Sequence, residues 1–324
     1  MPLAVRQRAV SMKTVIVVGY SAWDLIFPLA ETPPPDSKTE VSPMVTCGGG
    51  PAANAAIALS KLGARVRLVS VMSDDAFGRA HLTELETAGV DVSLIRTAAH
   101  SRSPLAVIRV DPRSGERRIY WERGDLPRYD PAGVDASWLA GADLLLCDSH
   151  EAPAAAVLAF AARRRGLPVV LDAGSVKAGV PELVAHCTDV IGATGFACAL
   201  NGIADQREAL RRLRGQGPLR VGTTFGRAGV LGLDGDGFRY VPAFVTQVVD
   251  TTGAGDAFHA GYAWSLAAGG GFAASLRCGA AVAALQCRAY GGRAGLPCAT
   301  EVETLLAHGS YRDDAPPILP PRRG

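Results

Sequence analysis

Asp250-Thr-Thr-Gly-Ala-Gly-Asp256-Ala-Phe-His-Ala-Gly261 reads as a tight glycine turn running straight into an apolar helix, with an acid in that helix's first turn. Gly253 and Gly255 lack a Cβ, so the backbone there tolerates positive φ and passes close to a ligand. The helix that follows turns its unpaired N–H groups and positive dipole end back on the turn, which makes an anion site. A carboxylate beside an anion site is repulsive unless it has a task. Taking a proton from an attacking hydroxyl is such a task for Asp256. An anion cradle next to a fixed base is what phosphoryl transfer to an alcohol requires. A Gly-Ala-Gly turn before a helix is also common in α/β proteins, and Asp is an ordinary first-turn residue. Turn chemistry alone leaves both readings open.

Outward from the turn, two alanine-rich apolar helices follow, about 254–268 and 272–288. At the other end of the chain, Thr14-Val-Ile-Val-Val-Gly19 is a short β-branched run of the kind that forms a buried parallel strand. Cys47-Gly-Gly-Gly-Pro-Ala-Ala-Asn54 opens a helix to Leu62, capped by Gly63 and followed by a strand over Arg65–Val71. A helical pattern covers Asp74–Ala88. From residue 143 onward the alternation is regular. Strands are expected over Asp143–Cys147, Pro168–Asp172, Asp189–Gly192 and Leu219–Thr223, with helices over Ala152–Arg165 and Gln206–Arg214. A hairpin of Gly229–Leu233 and Gly237–Tyr240 closes the series. This rhythm predicts an α/β fold with a mainly parallel sheet covered on both faces.

Two segments break the rhythm. One contains Asp24, a turn at Pro33–Asp36 and a returning strand over Glu40–Thr46. The other is the polar, arginine-rich stretch Leu94–Tyr129, with a hairpin of Leu105–Val110 and Glu116–Trp121. Both are read as a small sheet outside the main one, forming a lid over the site. In parallel sheets ligands bind at the carboxyl ends of strands, and Gly19, Asp24, Gly48–Gly50 and Asp172 fall at or just beyond such ends.

The 324-residue chain has a formal charge of only +2, which gives no electrostatic case for nucleic acid or an anionic membrane. No apolar run approaches the roughly 18 residues that cross a bilayer. The basic start Met1–Lys13 lacks an apolar signal core, so a cytoplasmic location is expected. Seven cysteines, at 47, 147, 187, 198, 278, 287 and 298, form no CxxC pair. That pattern suits reduced, mostly buried thiols. No Walker loop occurs, which argues against a P-loop kinase.

In Gly48-Gly-Gly-Pro-Ala-Ala-Asn54, three successive glycines leave backbone groups open to a ligand, and Asn54 offers a donor and an acceptor suited to a sugar hydroxyl. The same residues equally suit a flexible loop and a helix start with Pro51 as first residue. Taken together, this stretch and Asp250–Phe258 resemble the two signatures of the ribokinase-like carbohydrate kinases, in order and at the expected separation. The resemblance covers roughly residues 14–307. Gly-Gly-Gly-Pro-Ala-Ala, Phe258-His259 and Gly291-Gly-Arg-Ala-Gly-Leu-Pro297 are closest to the sulfofructose kinase and ketohexokinase branch. The sulfonated substrate is not carried over, because recognising a sulfonate needs basic or amide donors and the corresponding lid and strand-end positions hold Tyr120 and His150.

The resemblance implies a three-layer kinase domain over 13–308, with lid segments at about 24–46 and 102–125. Residues 1–12 would be an extension and 309–324 an unstructured tail. It implies an ATP-dependent enzyme that phosphorylates a hydroxyl of a small sugar. Asp256 would be the base, and Gly253, Ala254, Gly255 and Asp256 would form the anion hole. Asp24, Gly49, Gly50 and Asn54 would hold the sugar, while Thr224, Gly226 and Thr252 would lie along the nucleotide. Mg2+ would arrive with ATP. A monovalent cation, K+, would sit beside the anion hole at Asp250, Thr252 and carbonyls of 286–295, and a homodimer would form through the lid.

Two departures stand out. Ala193-Thr-Gly-Phe196 occupies the place of the family's Asn-x-x-Glu motif for magnesium and phosphate, and Gly295 that of a serine cation ligand. A nucleoside kinase, with Phe27, Tyr120 and Trp121 as a platform for a base, and a non-catalytic binding protein on this scaffold are the rival readings. His150 and His259 are expected as polar contacts or packed residues. The arginines at 102, 109, 117, 118 and 123 are expected mainly on a solvated lid face, with Arg102 or Arg123 nearest to a substrate charge.

Overall fold

The computed structural model describes residues 12–314. Its organising strand is β1 (Thr14–Val18), whose Val15–Val18 are wholly buried. Val15 and Val17 point into one hydrophobic layer, Ile16 and Val18 into the other. A strand with apolar side chains on both faces is stable only between two helical layers, and each such side chain contributes about 1.5–3 kcal/mol by leaving water.

In chain order, β2 (Ala22–Pro28) and β3 (Val45–Gly49) precede α1 (Pro51–Lys61), β4 (Arg65–Ser73), α2 (Ala76–Thr87) and β5 (Ile95–Ala98). The hairpin of β6 (Leu105–Val110) and β7 (Arg117–Glu122) comes next. Then follow β8 (Leu144–Asp148), α3 (Ala152–Arg164), β9 (Val169–Ala173), α4 (Val180–His186), β10 (Asp189–Ala193), α5 (Phe196–Asn201), α6 (Gln206–Arg214) and β11 (Arg220–Thr224). The last elements are β12 (Val230–Asp234), β13 (Gly237–Val241), α7 (Ala254–Ala267), α8 (Phe272–Gln286) and α9 (Ala299–His308).

The main sheet has the order β13-β12-β11-β10-β9-β8-β1-β4-β5, with only the β11–β12 and β12–β13 pairings antiparallel. One helical layer contains α1, α7 and α8, the other α3, α4 and α6. A separate four-stranded sheet, β3-β2-β6-β7, buries Ile26, Ala106, Ile108 and Val110 on one face and leaves β7 exposed along its whole length.

Asp24 keeps its expected place in the lid, within β2 and opposite Cys47. Several expectations are corrected. The returning strand starts at Val45 instead of Glu40 and runs through the glycines to Gly49. Ile95–Ala98 extends the main sheet alongside β4. Helices α4, α5 and α9 went unread, being short or only weakly patterned. Residues 310–312 are pinned to the body, Ser310 O and Arg312 N bonding Val245 and Ala243, so the segment just past 309 is ordered by pairing. Asp314 is held too, its carboxylate pairing with Arg227 and Arg312, while residues 315–324 and 1–11 lie outside the described residues. Among these, no helix is long and apolar enough to cross a membrane.

Candidate active site

A cavity of about 330 Å³ opens between the lid and the carboxyl ends of the central strands. The anion turn forms one wall. Gly253 sits at φ 74°, in the left-handed region, as the residue that starts α7. A Cβ there would meet Gly292 at 2.7 Å, so only glycine lets this turn press against the loop after α8. Gly255, by contrast, lies inside the first helical turn with open space where a Cβ would project. Ala254 N donates to Thr251 O at 3.2 Å. Among the described residues no protein acceptor takes the N–H groups of Gly253, Gly255 or Asp256. These donors, at the positive end of a 14-residue helix, suit an anion.

Asp256 faces the cavity from the same turn. Its Oδ2 accepts from Asn54 Nδ2 at 2.8 Å, and Asn54 Oδ1 in turn accepts from Arg293 Nε at 2.9 Å. Both ends of the Asn54 amide therefore already hold one protein partner, which fixes which end is which. Arg293 is itself buried, paired with Glu84 at 2.7 Å and bonded to His81. Burial raises the Asp256 carboxyl above its ordinary range, and the Asn54 bond and the charge of Arg117 pull it partly back. A carboxylate raised in this way is a better proton acceptor near neutrality.

Asp24 lines the same cavity from β2. Burial, reinforced by Asp256 and Asp250 and opposed by Arg293, pushes its carboxyl up to about 7. Gly49 on the neighbouring strand does not line the cavity. A Cβ there would lie 2.2 Å from the Asp24 carboxylate, so Gly49 makes room for that side chain. Gly50 and Thr252 line the wall, as does Thr224 at the end of β11, whereas Gly226, Ala254 and Asp250 do not. Asp250 is wholly buried. Its Oδ1 accepts from Thr252 N and Oγ1, both at 2.8 Å, and its Oδ2 from Gly291 N at 2.8 Å.

Other acids end two of the strands. Asp148 Oδ2 accepts from Tyr20 N at 2.7 Å and Ala52 N at 3.2 Å, tying β1, β8 and α1 together. Asp172, pushed up to about 7 chiefly by burial, lies 3.2 Å from His259 Nδ1. His259 also contacts Gly255 O at 2.8 Å and Ile191 O at 3.0 Å, clamping the first turn of α7 to β9 and β10. At positions 193–196 the structure offers one polar side chain, Thr194, whose hydroxyl is spent on Thr224 O at 2.7 Å. That stretch has no donor set for a resident magnesium ion.

The opposite wall is aromatic. His150 stacks on Tyr20 with centroids 4.4 Å apart, and Trp121 lies edge-on to both at 6.1 and 6.3 Å. Burial and the charge of Lys177 push His150 down to about 3, so the ring stays neutral. Of the proposed platform only Trp121 lines the cavity; Phe27 and Tyr120 do not. Arg102 is exposed and paired with Glu122 and Asp125, and Arg123 is paired with Glu151. The lid arginine that faces the cavity is Arg117, whose Nη1 donates to Thr251 Oγ1 at 2.9 Å. Arg293, Asp148 and Gln286 were given no role from sequence. Asp148 and Asp172 share a legible signal, an apolar strand run terminated by Asp.

Comparison with known proteins agrees with this geometry. The pattern described as pfkB family carbohydrate kinase matches residues 12–299. A ribokinase of Bacillus subtilis is 29% identical over 91% of this chain and 100% of its own length. A nucleoside kinase of Methanothermobacter thermautotrophicus is 26% identical over 94% of this chain and 99% of its own. An Arabidopsis thaliana ribokinase solved with ribose and ATP shares the fold, with TM-score 0.77 and 24% identity over 92% of this chain and 99% of that one. With the family pattern spanning both signatures and nearly every element described above, the chain belongs to the pfkB family of carbohydrate kinases.

Proposed function

We propose that the protein transfers the γ-phosphoryl group of MgATP to a hydroxyl of a small sugar or riboside, with Asp256 as general base. The observation that carries this reading is the pairing of a half-buried, cavity-facing carboxyl with three unspent N–H groups on one helical turn. The acceptor oxygen forms a bond to the γ-phosphorus as the bond to the bridging oxygen breaks. The electron pair leaves with ADP, and the hydroxyl proton passes to Asp256. The N–H groups of Gly253, Gly255 and Asp256 would meet the charge on the equatorial oxygens. Asp24 and Asn54 would hold the acceptor, Gly50 bounding it. Thr224, Gly226 and Thr252 would flank the nucleotide, whose phosphates bring the magnesium. The lid would keep water from the γ-phosphorus.

The aromatic wall of Tyr20, His150 and Trp121 favours an acceptor with a flat substituent, since an aromatic surface suits packing against a base. Relatives of both kinds exist, including an aminoimidazole riboside kinase of Salmonella typhimurium that is 26% identical. The edge of β7, unpaired among the described residues, and its exposed Tyr120, which does not line the cavity, support a lid-to-lid homodimer, and a monomer in sedimentation at working concentration would rule it out.

Coupled ADP release from MgATP over pentoses, hexoses, ketoses, sulfofructose and nucleosides, with Asp256→Asn beside it, tests the assignment. Turnover on a sugar or nucleoside that the substitution abolishes supports it and names the acceptor. No turnover on the whole panel, with ligands still raising the melting temperature, would favour a binding protein.

A further inference from the structure

The anion turn is held by the loop that follows α8. Val249 N and Asp250 N both donate to Cys287 O, at 2.8 and 3.3 Å, and Gly291 N donates to Asp250 Oδ2. The centre of this seam is Gln286, the last residue of α8 and wholly buried. Its Nε2 donates to Thr252 O at 3.2 Å and to Gly291 O at 2.7 Å. Both partners are carbonyl oxygens, which only accept, so the amide must present its NH2 group to them. Two carbonyls converging from two loops beside an acid is where the family resemblance implies a monovalent cation. Here the converging oxygens already share one donor.

Of the remaining side-chain oxygens here only Gln286 Oε1, on the far side of the amide from the two carbonyls it bridges, is buried without a protein partner among the described residues. Both oxygens of Asp250 are taken by N–H and O–H donors of the protein. At Gly295 a Cβ would lie 2.1 Å from Gln286 O, so no serine hydroxyl can stand there without moving backbone. The Gly295 carbonyl instead accepts from Arg288 Nη2 at 3.3 Å. The residues present do not fit a potassium ion. The glutamine and the glycine are two halves of one change, because the backbone of Gln286 fills the space a side chain at 295 would need.

We infer that the Gln286 amide replaces the cation, bridging Thr252 O to Gly291 O so that the anion turn is set without a monovalent ion. This rests on the kinase reading for its effect on turnover, but its effect on the fold does not. The test measures turnover and thermal melting of the natural protein, Gln286→Ala and Gln286→Glu in K+, Na+ and tetramethylammonium chloride at matched ionic strength. The natural protein should melt at the same temperature and turn over within about twofold in all three salts, since binding of a specific ion to the native state would otherwise raise stability. Gln286→Ala leaves two buried carbonyls without a donor and should lose about tenfold in turnover in the organic salt. Gln286→Glu supplies oxygen ligands in place of donors. It should melt higher in K+ than in tetramethylammonium and regain turnover there. A potassium-specific rise in the melting temperature of the natural protein would overturn the inference, meaning that the amide turns and offers Oε1 as a ligand. So would two variants that fold and match the natural protein in every salt. Failure of phosphoryl transfer on every acceptor would instead refute the kinase reading, and the melting comparison would still decide the role of Gln286.

Discussion

The two ends of the main sheet treat their acids in opposite ways. At the amino end, Asp189 opens β10 with no exposed surface and every oxygen engaged. Arg220 lies against it with Nε 2.6 Å from Oδ1 and Nη2 donating to Oδ2 at 2.8 Å, and Thr188 and Tyr262 hydroxyls complete the set. At the carboxyl end, buried Asp24 and half-buried Asp172 and Asp256 surround one cavity with far less compensation, and loss of solvent raises all three. A carboxylate matched by a guanidinium fork and hydroxyls holds a fold in register. One left under-neutralised remains free to take a proton or a hydroxyl group. Strained electrostatics of this kind persist where function maintains them.

Substituting one acid from each end separates the two roles most sharply. Asp256→Asn should cut turnover by about 10²–10⁴, the range for loss of a general base. Its melting temperature should be unchanged or higher, because the substitution removes a desolvated charge. Asp189→Asn should do the reverse. It strands the Arg220 charge and should cost about 3–5 kcal/mol of stability by denaturant titration, while the protein still folded turns over at the natural rate. If Asp256→Asn destabilised and Asp189→Asn did not, the contrast between the two ends would be wrong.

This contrast was only half legible in the sequence. The β-branched runs and glycine turns predicted the parallel sheet and its carboxyl-end site, because burial on both faces and tight turns are local properties of the chain. Asp256 could be picked out because it belongs to a short signature, and Asp24 because it follows the first strand where the family resemblance places an aspartate. The partners that set their chemistry could not. Arg293 reaches Asn54 across 239 residues of sequence, and Asn54 reaches Asp256 across 202. Arg117 sits in a strand whose alternation says nothing of the cavity it faces. Pairings of that range depend on how α1, α7 and the lid pack, which periodicity and turn chemistry do not encode. Short helices such as α5, begun by a left-handed Gly195, are lost for the opposite reason, having too few residues to show a period.

A pH series probes the carboxyl end more gently. In the proposed role Asp24 would hold the acceptor's hydroxyls as a carboxylate, yet in the free protein burial holds its carboxyl at about 7, against 3.8 normally. Acceptor binding should therefore release a proton. Apparent affinity should rise about tenfold per pH unit up to about 7 and level off above it. The linked effect on the free protein has the opposite sense. Because the folded value is the higher one, the contribution of Asp24 to stability is complete below about 4 and is lost as pH rises through about 7. Calorimetry in buffers of different ionisation enthalpy reads the proton directly, and Asp24→Asn should abolish both slopes. A flat affinity profile in the natural protein would mean that Asp24 does not bind the acceptor as a carboxylate.

The smallest expected effect concerns Arg117, the lid arginine that lines the cavity. Arg117 belongs to a fully exposed strand, so Arg117→Met should leave melting nearly unchanged. Its charge nonetheless favours the ionised form of Asp256, and its Nη1 bond to Thr251 Oγ1 ties the lid to the start of the anion turn. Without it the acid limb of kcat/KM should move to higher pH, since Asp256 then gives up its proton less readily. KM for the acceptor should rise several-fold, about the effect of one exposed charge-assisted bond. Arg117→Lys keeps the charge but loses the Nη1 donor to Thr251, and should restore the pH limb without restoring KM. If Arg117→Lys restored both, lid closure would depend on charge alone, and the Thr251 contact would not contribute to it.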